Sequence, residues 1–220
     1  MEIGITSAEN LVRMAAGPVQ LEGNLTIPGG ATGVILFAHG SGSSRHSPRN
    51  RYVARVLNEA GLATLLIDLL TAEEEQVDIR TAELRFDIPL LAGRLAAATT
   101  WLLENPGTGS MHIGYFGSST GAAAALVAAT ERPDVVSAIV SRGGRPDMAG
   151  SMLPLVQAPT LLIVGGNDYQ VIMLNEQALG PLRVEKELKI VPGATHLFEE
   201  PGTLEEVARL AAAWFSRFLT

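Results

Sequence analysis

Residues 117–121 read Gly117-Ser118-Ser119-Thr120-Gly121. A serine with glycines two positions away on either side suits a tight strand-to-helix turn that lifts its hydroxyl clear of the chain. The turn is too crowded for side chains at the glycine positions, and the serine itself must hold a strained backbone. A serine hydroxyl is a poor nucleophile at neutral pH and needs a base. The chain has four histidines, His39, His46, His112 and His196. Only His196 lies late in the chain, in a loop straight after a final strand pattern, within Pro192-Gly193-Ala194-Thr195-His196. A histidine base needs an acid to fix its tautomer and stabilise the imidazolium. Asp168, in Gly165-Gly166-Asn167-Asp168, is the candidate, and Asp147 is the runner-up. Ser119, Asp168 and His196 together would perform acyl transfer. The plainer readings are an unreactive serine in a glycine-rich turn, a packing histidine and a turn-forming aspartate.

Acyl transfer also needs N–H donors for the oxyanion. The segment His39-Gly40-Ser41-Gly42-Ser43-Ser44 follows an apolar run and is built of small residues that leave amides exposed. The donors are assigned to the N–H of Thr120, next to the nucleophile, and the N–H of Ser41, with Gly42 as the neighbouring alternative. His39 is read as a loop organiser and His46 as structural. Arg45, Arg142 and Arg145 fall in loops at the same edge. A guanidinium binds a carboxylate in bidentate fashion, so Arg142 and Arg45 are candidate holders of an anionic substrate group. The competing reading pairs them with Asp147 or with Glu73-Glu74-Glu75, itself read as a solvated loop.

Positioning these residues requires strands that end beside one another. Short apolar runs occur at residues 34–38, 63–67, 112–116, 136–140, 160–164 and 188–191. Continuous runs of this kind suit strands buried on both faces of a parallel sheet. Helical spacing occurs at 50–60, 88–103, 120–130 and 204–219. The alternation predicts a three-layer α/β domain with right-handed crossovers, covering residues 1–220 as a single unit. Residues 11–16 and 19–27 alternate around Gly17-Pro18 and predict an antiparallel hairpin at about 11–27 on the sheet edge. In such sheets ligands sit at the carboxyl ends of strands, where Ser119, Asp168 and His196 all fall.

Composition removes several other chemistries. The 220 residues contain no cysteine, which excludes disulfide scaffolds, thiolate metal sites and a Cys nucleophile. No H-E-x-x-H pattern occurs, and no metal or organic cofactor is expected. The net charge of -7 argues against nucleic-acid binding. With 47% hydrophobic and 18% charged residues the chain is expected to fold. No secretory leader or run long enough to span a membrane is read, so a soluble cytoplasmic protein is the expectation. The expected partner is a small-molecule ester, with no nucleic acid and no membrane, in a monomer or homodimer.

On these four segments the chain resembles the α/β-hydrolase superfamily, and within it the dienelactone hydrolase-like group. The resemblance covers nearly the whole chain. It implies an α/β-hydrolase sandwich with about eight mostly parallel strands, the second antiparallel, and a Ser–His–Asp triad at Ser119, His196 and Asp168. It looks especially similar to a small bacterial branch with the segment His-Gly-Ser-Gly-Ser-Ser-Arg-His-Ser-Pro-Arg-Asn, here residues 39–50, a branch that sometimes occurs beside phosphoribosyltransferase domains. Dienelactone hydrolases carry cysteine in the elbow where this chain has Ser119, so the resemblance implies general carboxylic-ester hydrolysis by a serine esterase instead. Thioesterase, lactonase or peptidase activity is the alternative, as is a non-catalytic hydrolase-fold binding protein. Members with a lid insert it after the strand ending here at Val140. Only residues 141–158 separate that strand from the next, which implies no lid domain and an open site for small soluble esters.

Overall fold

A computed structural model describes residues 8–219. Its eight strands, β1 (Asn10–Ala16), β2 (Val19–Thr26), β3 (Gly33–Ala38), β4 (Ala63–Ile67), β5 (His112–Ser118), β6 (Val136–Arg142), β7 (Thr160–Gly165) and β8 (Lys186–Val191), form one sheet. The strand order is β1-β2-β4-β3-β5-β6-β7-β8. β1 pairs antiparallel with β2, and β2 antiparallel with β4. The remaining neighbours are parallel. The expected hairpin is present, turning at Gly17 with φ 63°, and it extends the sheet edge.

Among the described residues six α-helices flank the sheet: α1 (Pro48–Glu59), α2 (Ala72–Thr81), α3 (Ile88–Glu104), α4 (Thr120–Glu131), α5 (Tyr169–Leu179) and α6 (Thr203–Leu219). The apolar runs are continuous because both faces of the central strands are covered. Along β3, Val34, Leu36 and Ala38 join a core containing Leu95 of α3 and Ala124 of α4. Ile35 and Phe37 join a second core with Leu57 of α1 and Phe215 of α6. α4 is rich in alanine because it approaches the sheet closely. A Cβ on Gly121 would lie 2.3 Å from Ala38 O and 2.4 Å from His39 O.

Two expectations about local structure are corrected, and one helix without an expected pattern is found. Glu73-Glu74-Glu75 is the first turn of α2, not a loop. Thr71 and Glu74 cap each other there, and the three acids favour the positive end of the helix dipole. α5 was not visible as a helical pattern, because a buried polar residue, Asn175, stands in its inward stripe between Val171 and Ala178. Its Nδ2 donates to Gly144 O at 3.0 Å and Val171 O at 2.8 Å. Arg142 is the last residue of β6 rather than a loop residue. Between β6 and β7 lies only a short 3-10 segment, Pro146–Leu155, and among the described residues no lid domain is inserted there. Among the described residues, no helix is long and apolar enough to cross a membrane.

Candidate active site

Ser119 sits between β5 and α4 with φ 50° and ψ -121°, a positive φ that L residues rarely hold. The turn is tight by necessity, since a Cβ on Gly117 would lie 2.4 Å from the Ala122 Cα. Two bonds to the end of β6 and the loop after it hold the elbow: Ser119 N donates to Arg142 O at 3.3 Å, and Arg145 N donates to Ser119 O at 3.1 Å. The main chain is therefore locked while the hydroxyl makes no hydrogen bond to a described residue.

His196 follows β8, and its Nδ1 is 2.6 Å from Asp168 Oδ2. Asp168 follows β7 and is the more buried of the two, with its side chain 15% exposed against 40% for His196. The carboxylate can only accept, so Nδ1–H donates to it, and in the neutral tautomer Nε2 is the ring's acceptor. The alternative acid, Asp147, is engaged elsewhere: Arg145 Nε and Nη2 donate to its two oxygens at 2.8 and 2.7 Å. Gly143, with φ 51°, backs the imidazole, and a Cβ there would lie 3.5 Å from its Cε1.

Ser41 and Thr120 are brought together, with their hydroxyl oxygens 3.1 Å apart. The Thr120 amide opens α4, where helical N–H groups have no internal partner. Neither the Ser41 nor the Thr120 amide donates to another described backbone group. His39 organises this loop from beneath. Its Nδ1 lies 2.9 Å from Gly40 O, and its Nε2 accepts from Leu69 N at 2.9 Å. That pairing requires a neutral ring with the proton on Nδ1. Burial pushes its pKa below the ordinary 6.5, against the smaller opposing pull of the Gly40 carbonyl.

Ser119, His196, Ser41 and Gly40 line a cavity of about 150 Å³, together with Ser43, Ser118, Leu197, Arg49 and Arg142. Larger hollows exist, such as one of about 380 Å³ beside Glu9, Arg51 and Tyr52, but that one contains no nucleophile–base pair. Arg142 thus lies where an anionic substrate group could reach it. Arg45 does not. Its guanidinium is held by Asp68, by Glu22 at 2.8 Å and by Asn24 at 2.9 Å, and it does not line this cavity. Sequence reasoning missed Arg49 and Asn50. They belong to the 39–50 segment, but nothing local shows that the start of α1 folds back to the cavity. Among the described residues, no group of three His, Asp or Glu side chains is arranged to hold a metal.

The Dienelactone hydrolase family matches residues 21–219. The crystal structure of a dienelactone hydrolase from Anabaena variabilis ATCC 29413 is similar over 98% of this chain and 100% of that one, at 64% identity and a TM-score of 0.96. Est1E from Butyrivibrio proteoclasticus shares the fold at 15% identity and a TM-score of 0.78, covering 94% of this chain and 98% of that one. "Putative phosphoribosyl transferase Rv0571c" of Mycobacterium tuberculosis is 59% identical over 204 residues, 93% of this chain and 45% of that protein. The chain spans about half the length of the curated relatives it matches most extensively.

Proposed function

The chain belongs to the dienelactone hydrolase family of hydrolases, and from that premise we propose that it is a serine esterase that cleaves small carboxylic esters through an acyl-enzyme. The observation that carries the reading is the strained Ser119 opening onto the same cavity as His196, whose Nδ1 is 2.6 Å from Asp168 Oδ2.

In the first step His196 Nε2 takes the Ser119 proton as Oγ attacks the ester carbonyl. The Ser41 and Thr120 amides hold the oxyanion, and Asp168 steadies the imidazolium. Collapse of the tetrahedral intermediate breaks the bond to the alcohol, which leaves with the proton from His196. Water, activated by the same nitrogen, then attacks the acyl-enzyme and releases the acid. The Ser119–His196 hydrogen bond is not formed in the free protein. Bonds of this kind commonly tighten only once substrate is bound.

The small cavity and the absence of a lid favour short, soluble esters over long lipids. The serine at position 119 sets the chain apart from cysteine-dependent dienelactone hydrolysis. The relatives' phosphoribosyl transferase name concerns proteins about twice as long and lends no role to Ser119.

Ser119→Ala tests the reading. Turnover of 4-nitrophenyl acetate and labelling by a fluorophosphonate are both expected to vanish in a variant that stays folded. Labelling that persists would remove Ser119 as the nucleophile. No labelling of the folded wild-type protein would favour the non-catalytic alternative. A panel of esters, thioesters, lactones and acyl-peptides compared by kcat/KM then assigns the substrate class.

A further inference from the structure

Among the described residues two arginines are buried, Arg94 and Arg142. Arg94 is neutralised by Glu74, at 2.6 Å. Arg142, 7% exposed, has no carboxylate partner. Its Nη2 reaches only Asn50 Oδ1, at 3.4 Å, and its Nε is buried without a partner. Its charged end lies 5.9 Å from the Phe198 ring, a weak attraction that does not replace a counter-ion.

Asn50 Oδ1 is shared with Ser118 Oγ, at 3.3 Å, so it is an incomplete acceptor for the guanidinium. Arg49 lines the same cavity. It donates to Glu199 Oε1 at 3.1 Å, an acid whose side chain is 63% exposed, while its own Nε is buried without a partner. Burial first, and the neighbouring Arg49 charge second, hold the Arg142 pKa at about 10, so it is still a cation at neutral pH.

A buried, unpaired cation is costly, and the usual remedy is an acid supplied by the fold. Here two guanidiniums line the cavity of Ser119 and His196, and a single exposed acid, Glu199, pairs with one of them. We propose that the counter-ion is part of the substrate. The cavity takes a small ester that carries a second, anionic oxygen group, a carboxylate or a phosphate. Arg142 and Arg49 hold that group while Ser119 attacks the ester carbonyl. The anion takes no part in bond making or breaking; it orients the ester. This substrate class rests on the serine-esterase reading above. It replaces Arg45, which the fold has neutralised, with Arg49.

The test compares 4-nitrophenyl esters of similar acyl length: butyrate, mono-succinate and 3-phosphonopropanoate. The wild-type protein is expected to prefer an anionic ester over butyrate by about tenfold or more in kcat/KM, the scale of one charge-assisted contact. Arg142→Gln and Arg49→Gln are each expected to lower that preference, mainly through KM, with Arg142→Lys restoring part of it. Arg49, partly exposed, guards against a misfolded Arg142 variant. Succinate and phosphonate separate the two anions. A wild-type protein that turns over butyrate at least as well as both anionic esters, with ratios unmoved by either substitution, overturns the subsite but not the esterase. If folded wild-type protein neither turns over these esters nor takes a fluorophosphonate, the esterase reading fails instead. Calorimetric titration with succinate and inorganic phosphate then decides the subsite. Binding weakened about tenfold by Arg142→Gln supports it, and no binding overturns it.

Discussion

Replacing Ser119 with glycine should make the protein more stable than replacing it with alanine. Alanine keeps the Cβ and therefore the strain of φ 50° and ψ -121°. Glycine removes it. A residue held at such angles costs about 1–3 kcal/mol, and glycine gives back roughly 0.5–1 kcal/mol through the greater freedom of its unfolded chain. The expected net gain of Ser119→Gly over Ser119→Ala is about 0.5–2 kcal/mol, or a rise in Tm of about 1–8 °C for a chain of this size. The comparison is clean because both variants lack the hydroxyl and differ only in the Cβ.

The fold contains its own control. Gly150 holds φ 50° and ψ -123°, nearly the same angles, and a Cβ there would meet nothing within 4 Å. Gly150→Ala should therefore introduce the strain that Ser119→Gly relieves, and cost about 0.5–2 kcal/mol. Urea unfolding of the three variants, with unchanged m-values, reads the differences directly. Ser119→Gly melting at or below Ser119→Ala would refute the claim that the elbow stores strain.

Three further outcomes follow from the same geometry. Gly121→Ala would drive a Cβ to 2.3 Å from backbone oxygen, which no rotamer change can relieve, so it should cost at least about 3 kcal/mol or prevent folding; a melt within 1 °C of wild type would show that α4 can back away. Asp168→Asn should cut kcat for 4-nitrophenyl acetate on the order of 10³–10⁴-fold without unfolding the chain, because the imidazole loses its tautomer and its counter-charge; a loss under tenfold would return Asp147 to consideration. Stability should fall as pH drops through 6.5, the ordinary histidine value, because His39 is held neutral in the fold and the unfolded chain binds the extra proton. The loss ends only below the depressed folded value, and Tm measured from pH 7 to pH 5 should decline less steeply in His39→Gln; an equal slope would assign the effect to other groups.

What could be read in the sequence was whatever short-range spacing encodes. The apolar runs at 34–38 and 63–67 become β3 and β4 almost residue for residue, because strands covered on both faces need no polar interruption. The order of Ser119, Asp168 and His196 was legible because each lies just past such a run, and parallel strands bring their carboxyl ends to one edge. α5 was hidden for the opposite reason: its inward stripe contains Asn175, which serves the Gly144 carbonyl instead of the core. The arginines mark the boundary most sharply. Arg45 and Arg142 were both candidates, as loop cations near the same edge, with Arg142 ahead. Folding placed Arg45 against Asp68 and Glu22, both far from it in sequence, and left Arg142 beside Asn50 with no acid. Which charge is neutralised depends on segments distant in the chain that meet only when the sheet assembles. Sequence alone therefore determined the fold class and the candidate nucleophile, base and acid. Tertiary packing decided which cations are left free to meet a ligand.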